Sequence, residues 1–271
     1  MMKMRVCLAV IIAALAAGCS GLGPAPTPAP PTPAPKPTPA PTPTPPCSQP
    51  GTTAMDRVPI ADENRSLPFT VYLPPCYAAQ GGAAYPVLYW TAVGGDYVFD
   101  TADELIRQGE VPPFLVVMLD IDLTDGRGAD GRIIRYVVPC VDAHYRTLPD
   151  AGHRSITGIS HGAAIAARAA IQPPNLFGRL AVISGGIANG EQEKFTGWLY
   201  ETPPKQRPLI LIDVGDQDGI ITLTRYLMDV LDQQNVPYTF THAPGDHATA
   251  YWGAHMAEYL KWLMGGGGMG R

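Results

Sequence analysis

RSITGISHGAAIAARAAIQ, residues 154–172, changes character at its centre. An apolar-leaning β run, Ser155 to Ile159, passes without a loop into a helix of small residues, and Ser160 stands at the junction. Gly158, Ile159, Ser160, His161 and Gly162 form a G-x-S-x-G pattern. A strand that turns this sharply into a helix holds its corner residue in a strained conformation and leaves no room for side chains two places to either side. The serine hydroxyl is thereby exposed. The N–H of His161 and the positive end of the new helix face the place where an oxyanion would form beside it. Five residues alone fit an ordinary strand-to-helix turn as well as a nucleophile, so the rest of the chain has to decide.

The chain has 271 residues, 46% of them hydrophobic. That is enough for one sizeable core once non-core segments are set aside. Residues 1–18 read as a secretory signal: Lys3 and Arg5, an apolar run from Val6 to Ala17, then small residues. The run is too short for a spanning helix. Cys19 follows directly, and AAGC resembles the lipobox of bacterial lipoproteins, in which that cysteine is acylated; Ala16 replaces the usual leucine. Residues 19–50 are then a lipidated stalk, because Pro24 to Pro46 holds 13 prolines in 23 residues. Such a run favours polyproline II at about 3.1 Å per residue, a reach of roughly 70 Å. The expected location is the cell envelope, anchored through the lipid and facing the extracytoplasmic side. Residues 265–271, GGGGMGR, read as a flexible tail.

Loss of Lys3 and Arg5 with the signal takes the formal net charge from −5 to −7. An acidic domain without a basic cluster argues against a nucleic-acid partner. Cys47, Cys76 and Cys140 remain after Cys19. In an oxidising compartment a Cys47–Cys76 disulfide is expected to tie the stalk to the first hairpin, with Cys140 a buried thiol.

Residues 51–264 alternate β and helical runs. Arg57 to Ala61 and Pro68 to Leu73 read as strands joined by Asp62, Glu63 and Asn64; Pro86 to Thr91 and Phe114 to Asp120 read as strands covered on both faces. Asp100 to Gln108 reads as a helix capped by Asp100 or Thr101. Ile134, Val137, Val138, Val141 and Tyr145 give Arg132 to Arg146 a buried helical stripe, kinked at Pro139. Strands follow at Leu180 to Ser184, Pro208 to Val214 and Pro237 to Thr241, and helices at Ile220 to Gln234 and Thr249 to Met264. Gly185 to Arg207 reads as a loop or short helix over the site. Asp122 to Gly131 lacks the spacing of an EF-hand loop, and no metal is expected. The βα alternation implies an α/β fold with a mostly parallel sheet, in which chemistry gathers at the carboxyl ends of the strands.

Three of those ends carry reactive side chains: Ser160; Asp216 and Asp218; and His247. The order Ser, Asp, His is that of α/β-hydrolases. A serine needs an imidazole to take its proton, and the imidazole needs a carboxylate to fix its tautomer. Among six histidines, His247 alone falls in a loop at that edge. His144 and His153 precede the nucleophile strand, His242 lies on the last strand and His255 on a helix. His161 adjoins Ser160 with its ring expected to point away. Asp218 is preferred as the acid, with Asp216, nearer the strand, as the alternative acid or a helix cap. Asp213 lies inside the strand.

VYLPPCY, PVLYW, VPCVDAHYRT, ITGISHG, DVGDQD and PGDHATAYW occur here in the order found in the esterase D-like esterases, and the chain resembles that family over about Val71 to Leu263. The resemblance implies a serine esterase of α/β-hydrolase fold that needs no cofactor, with Asp218 as acid, His247 as base and Trp252 matching a family tryptophan. Two departures stand out. The family's His-Gly oxyanion segment reads Trp90 to Gly95 here, leaving Ala92 or Val93 as second N–H donor beside His161, and Ala163 replaces a glycine. The expected substrate is a small-molecule or polysaccharide-linked ester. The alternatives are an acyltransferase using the same acyl-enzyme, and a non-catalytic domain that binds carbohydrate or cell wall.

Overall fold

The computed structural model describes residues 49–91, 97–119 and 128–266, all within one compact unit. The stalk, Cys19, Cys47, the oxyanion candidates Ala92 and Val93, and most of the loop from Asp122 lie outside the described residues, as do residues 267–271 of the tail.

Strands β1 (Thr52–Ile60) and β2 (Arg65–Leu73) form an antiparallel hairpin with Ile60 opposite Arg65. Both begin earlier than the sequence suggests. Their prolines are tolerated because Pro59 lies on the sheet's outermost strand and Pro68 just outside the stretch of β2, Phe69 to Tyr72, that pairs with the next strand. Then come β3 (Val87–Trp90), α1 (Tyr97–Arg107) and β4 (Leu115–Leu119). Helix α1 starts before the expected cap. Thr101 lies inside it, its hydroxyl donating to the Tyr97 carbonyl at 2.7 Å.

Next are α2 (Ala129–Arg132), a π turn over Ile133–Val137, and α3 (Val138–His144). Where a uniform helix with a kink is expected, the structure places a π turn just ahead of Pro139. Proline has no N–H for the Arg135 carbonyl and its ring would strike it, and a wider turn relieves both. The extra residue also rotates the preceding side chains, so Ile133 rather than Ile134 is buried with Val137, Val138 and Val141.

The remaining elements are β5 (Arg154–Ile159), α4 (His161–Ile171), β6 (Arg179–Ile183), α5 (Gln192–Glu201), β7 (Leu209–Gly215), α6 (Ile221–Gln233), β8 (Thr239–Ala243) and α7 (Thr249–Leu263). The eight strands lie in the order β1-β2-β4-β3-β5-β6-β7-β8. They are parallel from β4 to β8, with the hairpin antiparallel at one edge.

Every residue of β3, β4 and β5 is buried, because helices cover both faces. Val87, Tyr89, Leu115, Val117 and Leu119 point to the face covered by α2 to α6. Leu88, Trp90, Val116 and Met118, between them, point to the face covered by α1 and α7. Segment 185–207 contains a full helix, α5, whose Phe195 and Leu199 join the first of these cores. Among the described residues no helix is long and apolar enough to cross a membrane.

The expected state of the cysteines is corrected. Cys140 is disulfide-bonded, as is Cys76. The Arg146 amide donates to the Tyr77 hydroxyl at 2.9 Å, and its guanidinium bonds the Tyr77 and Gln80 carbonyls. These bonds bring the loop after β2 against the end of α3, an approach that a sequence separation of 64 residues conceals and that Cys76-to-Cys140 pairing requires. A non-reducing peptide map is expected to join the fragments containing Cys76 and Cys140. Cys140→Ser is expected to lower unfolding free energy by about 2–4 kcal/mol in urea titration.

Candidate active site

Ser160 sits between β5 and α4 at φ 56° and ψ −121°, a conformation that an L-residue holds only when its surroundings enforce it. Its N–H is bonded to the Ile183 carbonyl at 3.0 Å and its own carbonyl accepts from Ala163 at 3.1 Å. A Cβ on Gly158 would lie 2.4 Å from both the Gly162 carbonyl oxygen and Thr91 Oγ1, so β5 and α4 can meet only over a glycine. The hydroxyl of Thr91, at the end of β3, donates to the Gly162 carbonyl at 2.7 Å. It pins the turn from below. The methyl of Ala163 lies over Gly185, where a Cβ would come within 2.5 Å of it.

Asp218, in the turn after β7, has a fully buried carboxylate, one oxygen of which accepts the Ile220 N–H at 3.0 Å. His247, after β8, has Nδ1 at 3.0 Å from both Asp218 carboxylate oxygens and Nε2 at 2.9 Å from Ser160 Oγ. The tautomer follows. With Nδ1 protonated and donating to a carboxylate, Nε2 has its lone pair toward the serine. Trp252 meets the imidazole edge-on at 5.1 Å, and its indole N–H donates to Ser184 Oγ at 2.8 Å.

Two loops far apart in sequence are clasped together to bring this about. The Gln217 amide donates to the Gly245 carbonyl at 2.9 Å, and the Gly245 amide donates to Gln217 Oε1 at 2.8 Å. Beneath them lies Asp213, fully buried, whose carboxylate accepts from the hydroxyls of Thr241, Tyr251 and Tyr259. Tyr251 packs so closely on Gly245 that a Cβ there would come within 2.3 Å of its ring. Sequence reasoning weighed Asp213 only as a less favoured acid and did not single out Gln217, Ser184 or Thr91. For Gln217, Ser184 and Thr91 the signal was a place just past a strand end, shared with the residues chosen.

Asp216 accepts from or pairs with His242 Nδ1 at 2.7 Å, with both side chains exposed, and so faces away from His247. Nor does Asp216 cap the following helix, since Asp218 takes the Ile220 N–H. The other histidines are engaged elsewhere: His144 with the Cys140 carbonyl, His153 with Asp150, and His255 with the Tyr251 carbonyl. The His161 ring, expected to point away from Ser160, helps to line a cavity that opens at the serine. Partial burial, and then the nearby Arg168 charge, lower its pKa. Among the described residues no His, Cys, Asp and Glu side chains are grouped to hold a metal ion.

That cavity has a volume of about 260 Å³. Two larger hollows, of about 530 and 520 Å³, lie against β1 and Arg146 and at the amino ends of β3, β5 and β6, far from the edge that carries Ser160. Of these three, the smaller is the one that Ser160 lines.

A family model described as "Putative esterase" matches residues 132–263. A bifunctional endo-1,4-beta-xylanase/feruloyl esterase of Xylanibacter ruminicola is 27% identical over 156 residues, 50% of this chain and 20% of that protein. The chain thus spans about one fifth of the curated relative it matches. Among solved structures, a ferulic acid esterase superposes with a TM-score of 0.67 at 18% identity, covering 80% of this chain and 99% of the other. A serine-to-alanine mutant of the feruloyl esterase module from Clostridium thermocellum, complexed with sinapinate, gives 0.68 at 16% identity over 83% and 93%. The S-formylglutathione hydrolase of Staphylococcus aureus gives 0.62 at 18% identity over 80% and 99%. At these identities the likeness shows a shared α/β-hydrolase fold.

Because the folded pKa of His161 lies below its ordinary value of about 6.5, the neutral ring is the form that folding favours. Its contribution to stability is present above that pH and is lost as pH falls toward the folded pKa. His161→Gln is expected to flatten the fall in urea midpoint between about pH 7.5 and 5.5. An unchanged slope would contradict this.

Proposed function

We propose that this chain, related to the putative esterases through residues 132–263, is a serine carboxylic-ester hydrolase that works through an acyl-enzyme. The observation that carries the reading is the unbroken line from the Asp218 carboxylate through His247 Nδ1 and Nε2 to Ser160 Oγ, in steps of 3.0 and 2.9 Å.

Along that line His247 Nε2 takes the hydroxyl proton as Ser160 Oγ attacks the ester carbonyl, and Asp218 stabilises the imidazolium that results. The negative charge that develops on the carbonyl oxygen is held by the N–H of His161, one of the first-turn donors of α4 that no intrahelical acceptor satisfies. His247 then gives its proton to the departing alkoxide, and the alcohol leaves. In the second half-reaction a water attacks the acyl-enzyme while His247 takes its proton, and the acid is released as Ser160 recovers its own. The side chain of His247 is 32% exposed, so water or an alcohol can reach the acyl carbon.

The substrate class follows from the relatives named as feruloyl esterases: an ester of a ferulate-like aromatic acid, with a small or polysaccharide-linked alcohol. Display on the cell envelope through a lipid on Cys19 and a stalk over residues 19–50 would bring the catalytic domain, residues 51–264, to polymers too large to enter the cell.

A fluorophosphonate probe is expected to label the wild type and not Ser160→Ala, whose kcat/KM on p-nitrophenyl acetate falls by roughly 10⁴ to 10⁶. Equal labelling of both proteins would end the hydrolase reading. Asp218→Asn is expected to lower kcat by about 10⁴, whereas Asp216→Asn leaves it within a few-fold; the reverse order would exchange their roles.

A further inference from the structure

We propose that the hollow at the amino ends of β3, β5 and β6 is a second ligand site, which holds a small organic monocarboxylate with an apolar body against Arg179. It lies apart from the ester chemistry. Ser155, near the start of β5, lines this hollow, whereas Ser160 stands just past the other end of the strand, roughly 16 Å away at about 3.3 Å per residue.

Arg179 is the first residue of β6 and pairs in register with Ser155, so both side chains leave the sheet on the face toward α7. There the guanidinium lies over the Trp262 ring, 5.2 Å from its centroid, and beside Gly265, where a Cβ would come within 3.8 Å of Nη2. Among the described residues no carboxylate pairs with it and no acceptor takes one of its N–H groups. Partial burial lowers its pKa from the ordinary arginine value, yet the group stays protonated. A positive charge held partly out of water without a counter-ion is unfavourable, and a bound anion relieves that cost.

The surroundings select the kind of anion. The Trp262 ring attracts the charge but takes no N–H in a conventional hydrogen bond, so the planar fork of donors is left for the two oxygens of a carboxylate. A phosphate needs a second cation or a nest of backbone N–H groups, and this wall supplies neither. Pro86, Pro112 and Pro113 line it, and proline has no N–H. The Ser155 hydroxyl is spent on the Leu263 carbonyl at 2.8 Å. His153, also in the wall, holds Asp150 through Nδ1 at 2.8 Å, so that its charge, when protonated, is already matched.

The body of the ligand follows from the same wall. The three prolines, with Leu148 and Leu263, present an apolar surface opposite the single charge. The volume, about 520 Å³, falls within the roughly 300–1,000 Å³ of sites that enclose small organic ligands. A fused-ring or branched acid fills such a space. A sugar acid would bring hydroxyls against proline and leucine with no partners for them.

The probe is 2-naphthoate, titrated into the full chain by isothermal calorimetry beside the uncharged 2-naphthamide and inorganic phosphate. Naphthoate is expected to bind, with the amide at least about tenfold weaker because it forfeits the charge-assisted bonds, and phosphate is expected not to compete. Arg179→Met is expected to weaken naphthoate by at least about tenfold. Pro113→Glu, which sets a negative charge in an exposed part of the wall, is expected to do the same. Arg168→Met, in the cavity at Ser160, is expected to leave the affinity within about twofold. Naphthoate that fails to bind at millimolar concentration, binds no better than the amide, or is displaced by phosphate overturns the proposal. So does binding that survives Arg179→Met, or that is lost with Arg168→Met instead, which would put the acid beside Ser160. Should Arg179→Met not fold, Pro113→Glu decides: an unchanged affinity overturns the site.

Discussion

The passage from β5 into α4 with no intervening loop is the constraint to which the rest of the structure answers. A corner that tight is possible only where two backbones almost touch, and Gly158 against Gly162 supplies the near contact. The left-handed φ of Ser160 is unfavourable by itself. It is maintained from three sides: the Ile183 carbonyl from β6, the Thr91 hydroxyl from β3, and Gly185 making room for Ala163. Three neighbouring parallel strands thus contribute their carboxyl ends to a single turn.

The other half of the site depends on a comparable device with different chemistry. Asp218 and His247 stand on separate loops, and neither loop has much apolar surface to bury. Hydrogen bonds register them instead, through the reciprocal pair between Gln217 and Gly245 and the three hydroxyls gathered on Asp213. A buried carboxylate surrounded by hydroxyl donors fixes direction better than apolar packing, since each bond specifies an angle as well as a distance. Tyr251 and Tyr259, both from α7, carry that registration through to the last helix.

Much of this was legible in the sequence. Continuous apolar runs gave β3 and β4, because strands covered on both faces have no polar side to alternate. The G-x-S-x-G corner marked one end of the site, and the turn residues around Asp218 and His247 marked two more. What could not be read has a common physical origin. The π turn ahead of Pro139, the partnership of Asp216 with His242 and the bonded state of Cys140 all depend on which segments lie side by side, and no local pattern encodes that. The helix at Gln192–Glu201 was hidden for another reason. Its Gly197 and its exposed Tyr200 interrupt the periodicity that Phe195 and Leu199 would otherwise have displayed.

The outer strand of the hairpin bears on how such molecules behave when crowded. An open sheet edge invites a second chain to add itself as another strand, the first step of aggregation. On β1 the Arg57 amide is already taken by the Asp56 carboxylate at 2.8 Å. Two residues further along, on the same side of the strand, Pro59 has no amide hydrogen to offer. Two consecutive rungs of the ladder that a neighbour would need are therefore missing from this edge of the sheet.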